Sequence, residues 1–301
     1  HSTSRRQRQM CIRDRYICLY WFLIGFFNVY KKQAAKDSSV LSVLTIYTVT
    51  GFLLISWKAA EAFTLSYEYI LLILLKSAII VTSWNLELNA IKDYYISILQ
   101  PLSAIRVVIA FCASILIFSE PSSWMQFVGI LIVGIGIALL NNDKNKNLFI
   151  SRKVGYKKLN KVVIFFLISC ILSETSAIFD KFALQNITQN QMQWWFMFFD
   201  SIFLILITVV VSLIKKKPVI TKSDFKNIYA YAVGLILIVA DNLLFTGLMD
   251  PASKASIVAV LKQIALVVTV LFGGLMFKEP NLKERLYVLA IILCGIIIIL
   301  I

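Results

Sequence analysis

The chain has 301 residues, 59% of them hydrophobic, with a mean hydropathy of +0.82 and a formal net charge of +14. A soluble domain has too little interior to hide that much apolar side chain, so lipid must be the solvent for most of the protein. The Lys and Arg residues fall in short stretches between apolar runs rather than along one stripe, which reads as membrane orientation and argues against nucleic acid as a partner.

Residues 1–15, HSTSRRQRQMCIRDR, lack a Met at position 1, and the stretch 10–15 resembles a translated sequencing-adapter end, so this segment is expected to be non-native and is set aside. A spanning helix needs about 20 mostly apolar residues. Runs of that kind predict ten helices, at 16–33, 39–57, 68–91, 95–118, 123–141, 162–182, 193–213, 228–248, 253–277 and 284–301. Pro101 removes a backbone donor inside the fourth run and should loosen its hydrogen-bond ladder. Trp57, Tyr67, Tyr69, Tyr94, Tyr95, Trp124, Trp194 and Trp195 sit near the ends of runs, where an amphipathic ring suits the headgroup level; no solute role is assigned to them. Cys18, Cys112, Cys170 and Cys294 lie inside apolar runs and behave as small hydrophobes, so no disulfide, metal or cofactor framework is expected.

Two stretches repeat one pattern. Residues 106–140, RVVIAFCASILIFSEPSSWMQFVGILIVGIGIALL, and 265–300, ALVVTVLFGGLMFKEPNLKERLYVLAIILCGIIIIL, each place a Glu-Pro corner (Glu120-Pro121, Glu279-Pro280) between two apolar runs. NLELNAIKD from Asn85 matches NLLFTGLMD from Asn242, and VYKKQA from Val29 weakly matches IFDKFA from Ile178. Five helices per half is an odd number, so the second half enters the membrane from the opposite side. The expected fold is therefore an all-α integral membrane protein of ten transmembrane helices in two inverted five-helix repeats, 16–141 and 162–301, joined by a basic linker at 142–161. The linker, the segment 214–226 and Lys31, Lys32, Lys36, Lys92, Lys278, Lys283 and Arg285 fall on one side, expected to be cytoplasmic, with both termini outward.

This arrangement resembles the EamA-domain proteins of the drug/metabolite transporter superfamily, over nearly the whole chain from about Tyr16. The passage GFFNVYKKQAAKDSSVLSVL from Gly25 looks like the first-helix passage of a bacterial branch of that superfamily. The resemblance implies a secondary active carrier in a bacterial inner membrane. It implies a central cavity lined by the third and fourth helices of each half, at 68–91, 95–118, 228–248 and 253–277, and export of a small-molecule solute driven by an ion gradient. Two fused repeats would complete such a cavity within a monomer, leaving solute and lipid as the expected partners.

Charged residues inside apolar runs lead to the same helices. A Lys, Arg or Asp at a helix centre costs on the order of 2.5–3.5 kcal/mol on insertion scales, so such a residue usually faces a cavity or a partner. Lys76, Arg106, Glu174, Asp200, Asp241 and Lys262 are so placed. Lys262 with Gln263 and Arg106 lie on corresponding helices and could hold an anionic group, unless each pairs with a carboxylate such as Asp241. Asp241-Asn242 stands opposite Trp84-Asn85, as solute ligands or as helix-to-helix hydrogen bonds. Lys76 is expected to snorkel to an interface. Glu174, about two turns before Lys181, resembles the Glu of the single-repeat small multidrug exporters. A carboxyl taken out of water ionises less readily, as a proton carrier needs. Gly25 occupies the corresponding place in the first half, which weakens that reading. Gly129, Gly134, Gly136, Gly273, Gly274 and Gly295 are expected to serve close helix packing.

An enzyme is disfavoured, because His1 is the only His and neither a phosphate loop nor a metal-ligand cluster is present in the sequence. A channel, or a scaffold or sensor that kept a carrier fold without transport, remains the alternative to a carrier.

Overall fold

In the computed structural model, residues 2–117, 119, 122–140, 156–248 and 265–300 are described. An apolar backbone away from water can satisfy its own N–H and C=O groups only by coiling, and every regular element among these residues is helical. The helices are α1 (Ser2–Asp37), α2 (Val40–Ile55), a single turn α3 (Ala59–Ala62), α4 (Tyr67–Asp93), α5 (Ile96–Leu102), α6 (Ile105–Leu116), α7 (Trp124–Leu140), α8 (Tyr156–Ala183), α9 (Gln189–Lys215), α10 (Ile228–Leu248), α11 (Ala265–Met276) and α12 (Leu282–Leu300).

Local chemistry sets several of these boundaries. The Ser39 hydroxyl accepts the Ser42 N–H at 3.0 Å and starts α2. Thr188 and Gln191 cap the start of α9 reciprocally, at 3.2 and 3.0 Å. Lys216, with φ 50°, ends that helix in the left-handed region.

The run expected at 95–118 is one helix in sequence and two in structure. After Pro101 the ladder tightens into i→i+3 bonds. Ser103 N–H donates to Gln100 at 2.9 Å, Ala104 N–H to Pro101 at 3.1 Å, and Arg106 N–H to Ser103 at 2.9 Å. The chain then resumes as α6.

Six described helical segments are long and apolar enough to cross a membrane: Val40–Ala62, Tyr67–Lys92, Ile96–Leu116, Lys161–Ala183, Gln189–Lys215 and Ile228–Thr246. Trp124–Leu139 and Ala265–Met276 are shorter apolar helices. The body is thus a multi-pass helical bundle. α1 lies along α10 and α11, α4 along α8 and α9, and α2 between α9 and α10, while α5 packs on α11, α6 on α8, and α7 on α12.

Two seams need glycine. A Cβ on Gly234 of α10 would stand 2.6 Å from the Tyr47 carbonyl of α2. One on Gly129 would stand 2.7 Å from the Gly295 carbonyl, where α7 meets α12 backbone to backbone. Gly134, expected at a packing seam, has nothing within 4 Å of its Cβ position.

Other expectations change as well. Trp57, Tyr67 and Trp124 are exposed, as interface rings should be, but Tyr94 and Trp194 are buried in the bundle. Lys31, Lys32 and Arg285, expected among the orientation charges, are buried and ion-paired.

Candidate solute cavity

The long helices line a cavity of about 150 Å³. α4, α5, α6, α10 and α11 all contribute to its wall, and so do α1 and α8. Tyr20, Phe27, Trp84, Phe196 and Phe245 supply aromatic surface. Among the described residues, the charged groups in the wall are Lys31, Lys76 and Arg106 against Glu87, Glu174, Asp180 and Asp241. Charges stripped of bulk water persist only with partners or with solvent in a cavity.

Glu87 is the centre of one pairing. Lys31 reaches it from α1 at 3.2 Å, Arg106 lies 3.9 Å away, and Gln100 donates to it at 3.5 Å. The helix break after Pro101 brings Gln100, Ser103 and Arg106 to the same wall. Arg106 therefore has a carboxylate neighbour, but it is Glu87 rather than Asp241. Its Nε and Nη2 have no hydrogen-bond partner among the described residues, so the guanidinium retains donors for a guest.

Across the cavity, Lys76 binds Asp180 of α8 at 3.1 Å, with its ammonium 3.0 Å from the centre of the Phe196 ring. This corrects the expectation of a snorkelling lysine, since Lys76 is only 1% exposed. Its ammonium is turned into the bundle, where a carboxylate of α8 is within range.

Trp84, Arg106, Glu174 and Asp241 all face the cavity. Asn85 and Asn242 stand outside its wall, where the Asn85 side-chain carbonyl accepts Asn89 at 2.5 Å and the Asn242 backbone carbonyl accepts the Thr246 hydroxyl at 2.7 Å. Lys262, Gln263, Glu120 and Pro121 lie outside the described residues. Lys31, Glu87 and Asp180, which sequence reasoning missed as cavity groups, sit near helix ends where charge is ordinary. Only their partners on other helices mark them.

A second charged cluster lies where α1 ends and α5 and α12 begin. Glu279 accepts the Ile96 and Ser97 N–H groups at 2.8 and 3.0 Å and the Ser97 hydroxyl, so its carboxylate caps α5. Lys32 reaches it at 3.0 Å and Arg285 at 3.1 Å. Arg285 also donates to the Ser97 hydroxyl and lies over the Tyr95 ring. The Glu-Pro corner thereby fastens the end of α1 to the start of α5.

A helical bundle with membrane-length segments around a charged cavity defines a multi-pass integral membrane protein. Residues 160–301 match the profile of the EamA-like transporter family. The second half of the chain is thus similar to an EamA domain, which supports an EamA-domain protein of the drug/metabolite transporter superfamily. No curated protein matches the chain. A solved structure described only as "Crystal structure of protein" aligns over 95% of this chain and 94% of its own, with a TM-score of 0.64 at 11% identity, a likeness of fold alone.

Proposed function

We propose that this protein is a secondary transporter that moves a small polar solute across a bacterial inner membrane by alternating access, as an ion-coupled exporter. In this reading ten transmembrane helices form two inverted repeats. The packing supports it: exchanging the halves turns α1 on α10 into α8 on α4, and α1 on α11 into α8 on α6, while α2 with α9 and α7 with α12 map onto themselves. All of these pairs are present.

The observation that carries the reading is the mixed-charge cavity built from both halves. Arg106 offers donors to an anionic group, and Glu174 and Asp241 offer carboxylates to a cationic one, with Trp84 beside them. Glu174 is also a candidate proton carrier. Lys262 and Gln263 belong to the proposed site through their place in the repeat.

The test begins with a thermal-stability screen of purified protein against amino acids, organic amines, organic anions and nucleosides. A ligand at a hundredfold excess over its Kd stabilises by about 2.7 kcal/mol. Counterflow of the radiolabelled hit is then measured in proteoliposomes with wild type, Arg106→Leu and Glu174→Gln. Saturable counterflow weakened by either substitution is the expected result. Non-saturating flux would make the protein a channel, and neither binding nor flux would make it a scaffold or sensor. Dependence on the pH gradient that persists in Glu174→Gln would remove Glu174 as the proton carrier.

A further inference from the structure

One buried carboxylate is left over from the cavity. Asp200, on the inward face of α9, is 0% exposed and lies one turn beyond Phe196, which forms part of the wall. Neither of its carboxylate oxygens has a hydrogen-bond partner among the described residues. The titratable groups within electrostatic reach are Tyr47 from α2, Lys76 from α4, Asp180 from α8 and Asp241 from α10, with the Ser77 hydroxyl nearby. Lys58, at the far end of the helix, is held by Gln193, seven residues or about 10 Å away along α9.

Lys76 is the one cation in this group among the described residues, and its ammonium is engaged by Asp180 at 3.1 Å. With no cation of its own among the described residues, an ionised carboxylate at this buried position is one of the costliest groups to accommodate. A metal ion would need a shell of oxygen ligands, and no metal-holding cluster exists among the described residues. A neutral carboxylic acid satisfies the site. The ammonium rests on the Phe196 ring beside Asp180, and Asp200 lies one turn along α9 from that phenylalanine.

We propose that Asp200 is a proton-binding site of the transporter, in addition to Glu174, and that Lys76 empties it by changing partners. When the cationic group of a solute replaces Lys76 on Asp180, the ammonium turns across Phe196 to Asp200. The Asp200 O–H bond breaks, its electron pair stays on the carboxylate as the new partner of Lys76, and the proton leaves to cavity water. One cation is gained and one proton lost, which is the stoichiometry of an exchanger. The use made of this switch rests on the transport reading above; its chemistry does not.

The test uses infrared spectroscopy of the full chain in lipid vesicles at neutral pH, reading the carbonyl stretch of protonated carboxylic acids. Asp200→Asn should remove one such band, and should fold well because Asn copies the shape of the neutral acid. Asp180→Asn should remove the same band, because the freed Lys76 pairs with Asp200 and displaces its proton. The double variant Asp180→Asn with Lys76→Met should restore it. A spectrum unchanged by Asp200→Asn, or a band that survives Asp180→Asn, would overturn the proposal while leaving saturable counterflow untouched. If the bands behave as stated but wild type shows no flux of any screened solute, the transport reading falls, and the coupling role of Asp200 falls with it.

Discussion

Glu279→Gln would take the charge from a carboxylate that serves two backbone N–H groups, one hydroxyl and two cations at once. Removing one partner of a buried ion pair costs about 3–5 kcal/mol, because the other charge is left uncompensated. Two features place the Gln variant at the lower end. Lys32 keeps the Tyr94 carbonyl at 2.6 Å, and Arg285 keeps the Ser97 hydroxyl and the Tyr95 ring. The expected loss is about 3 kcal/mol for Gln. Ala, which also forfeits the cap of α5, should lose about 1 kcal/mol more. At about 2–4 °C per kcal/mol for a large domain, Glu279→Ala should lower the melting temperature in detergent by about 8–16 °C. Adding Lys32→Met to Glu279→Gln should recover part of the loss, since one stranded cation disappears, and the double-mutant cycle should show coupling of about 1 kcal/mol or more. A Glu279→Ala protein melting with wild type, or a cycle with no coupling, would refute the view of Glu279 as the shared partner of three helices.

Gly129→Ala should lose about 1–3 kcal/mol, because its Cβ would meet the Gly295 carbonyl at 2.7 Å and the Ile299 nitrogen at 2.9 Å. Gly134→Ala, with an empty neighbourhood, should gain up to about 1 kcal/mol of helix propensity; equal melting temperatures for the two variants would contradict the α7–α12 seam. Outside the membrane, burial opposes ionisation of Asp224, but the Thr221 N–H and hydroxyl, at 2.8 and 2.9 Å, hold its carboxyl below the ordinary range. A depressed folded value stabilises at pH above the unfolded carboxyl value of about 3.9 and is lost as pH falls through the folded one. Melting curves from neutral to acid pH should therefore show a steeper acid loss for wild type than for Asp224→Asn.

Helices were legible because their apolar runs are long, and the break in the fourth was legible because Pro101 can neither donate nor fit the turn before it. The positions of Arg106 and Glu174 beside a cavity also followed from the cost of burying charge. Lys31 and Lys32 were misread for a physical reason. A Lys pair at the end of an apolar run has the same local pattern whether its ammonium groups reach water or carboxylates, and the carboxylates, Glu87 and Glu279, come 56 and 247 residues later. Lys76 failed in the same way, its partner Asp180 being on α8. Glu279 stood out as part of a repeated corner, yet nothing local announces that it caps α5, nearly two hundred residues upstream. Charge inside lipid is readable from one segment, whereas pairing is a property of the assembled bundle.

The crossing of these pairs from one half to the other bears on how the chain is made. Lys76 finds Asp180, and Lys32 finds Glu279, only after the second half has been synthesised. During translation the helices before α8 carry cations whose eventual counter-ions have not yet been made. Their stable packing should therefore await α8 and the corner after α11. Severing the chain between α7 and α8 would yield a first fragment that carries its own hydrophobic runs but not its own electrical balance, and co-expression of the second fragment should be what rescues it from degradation.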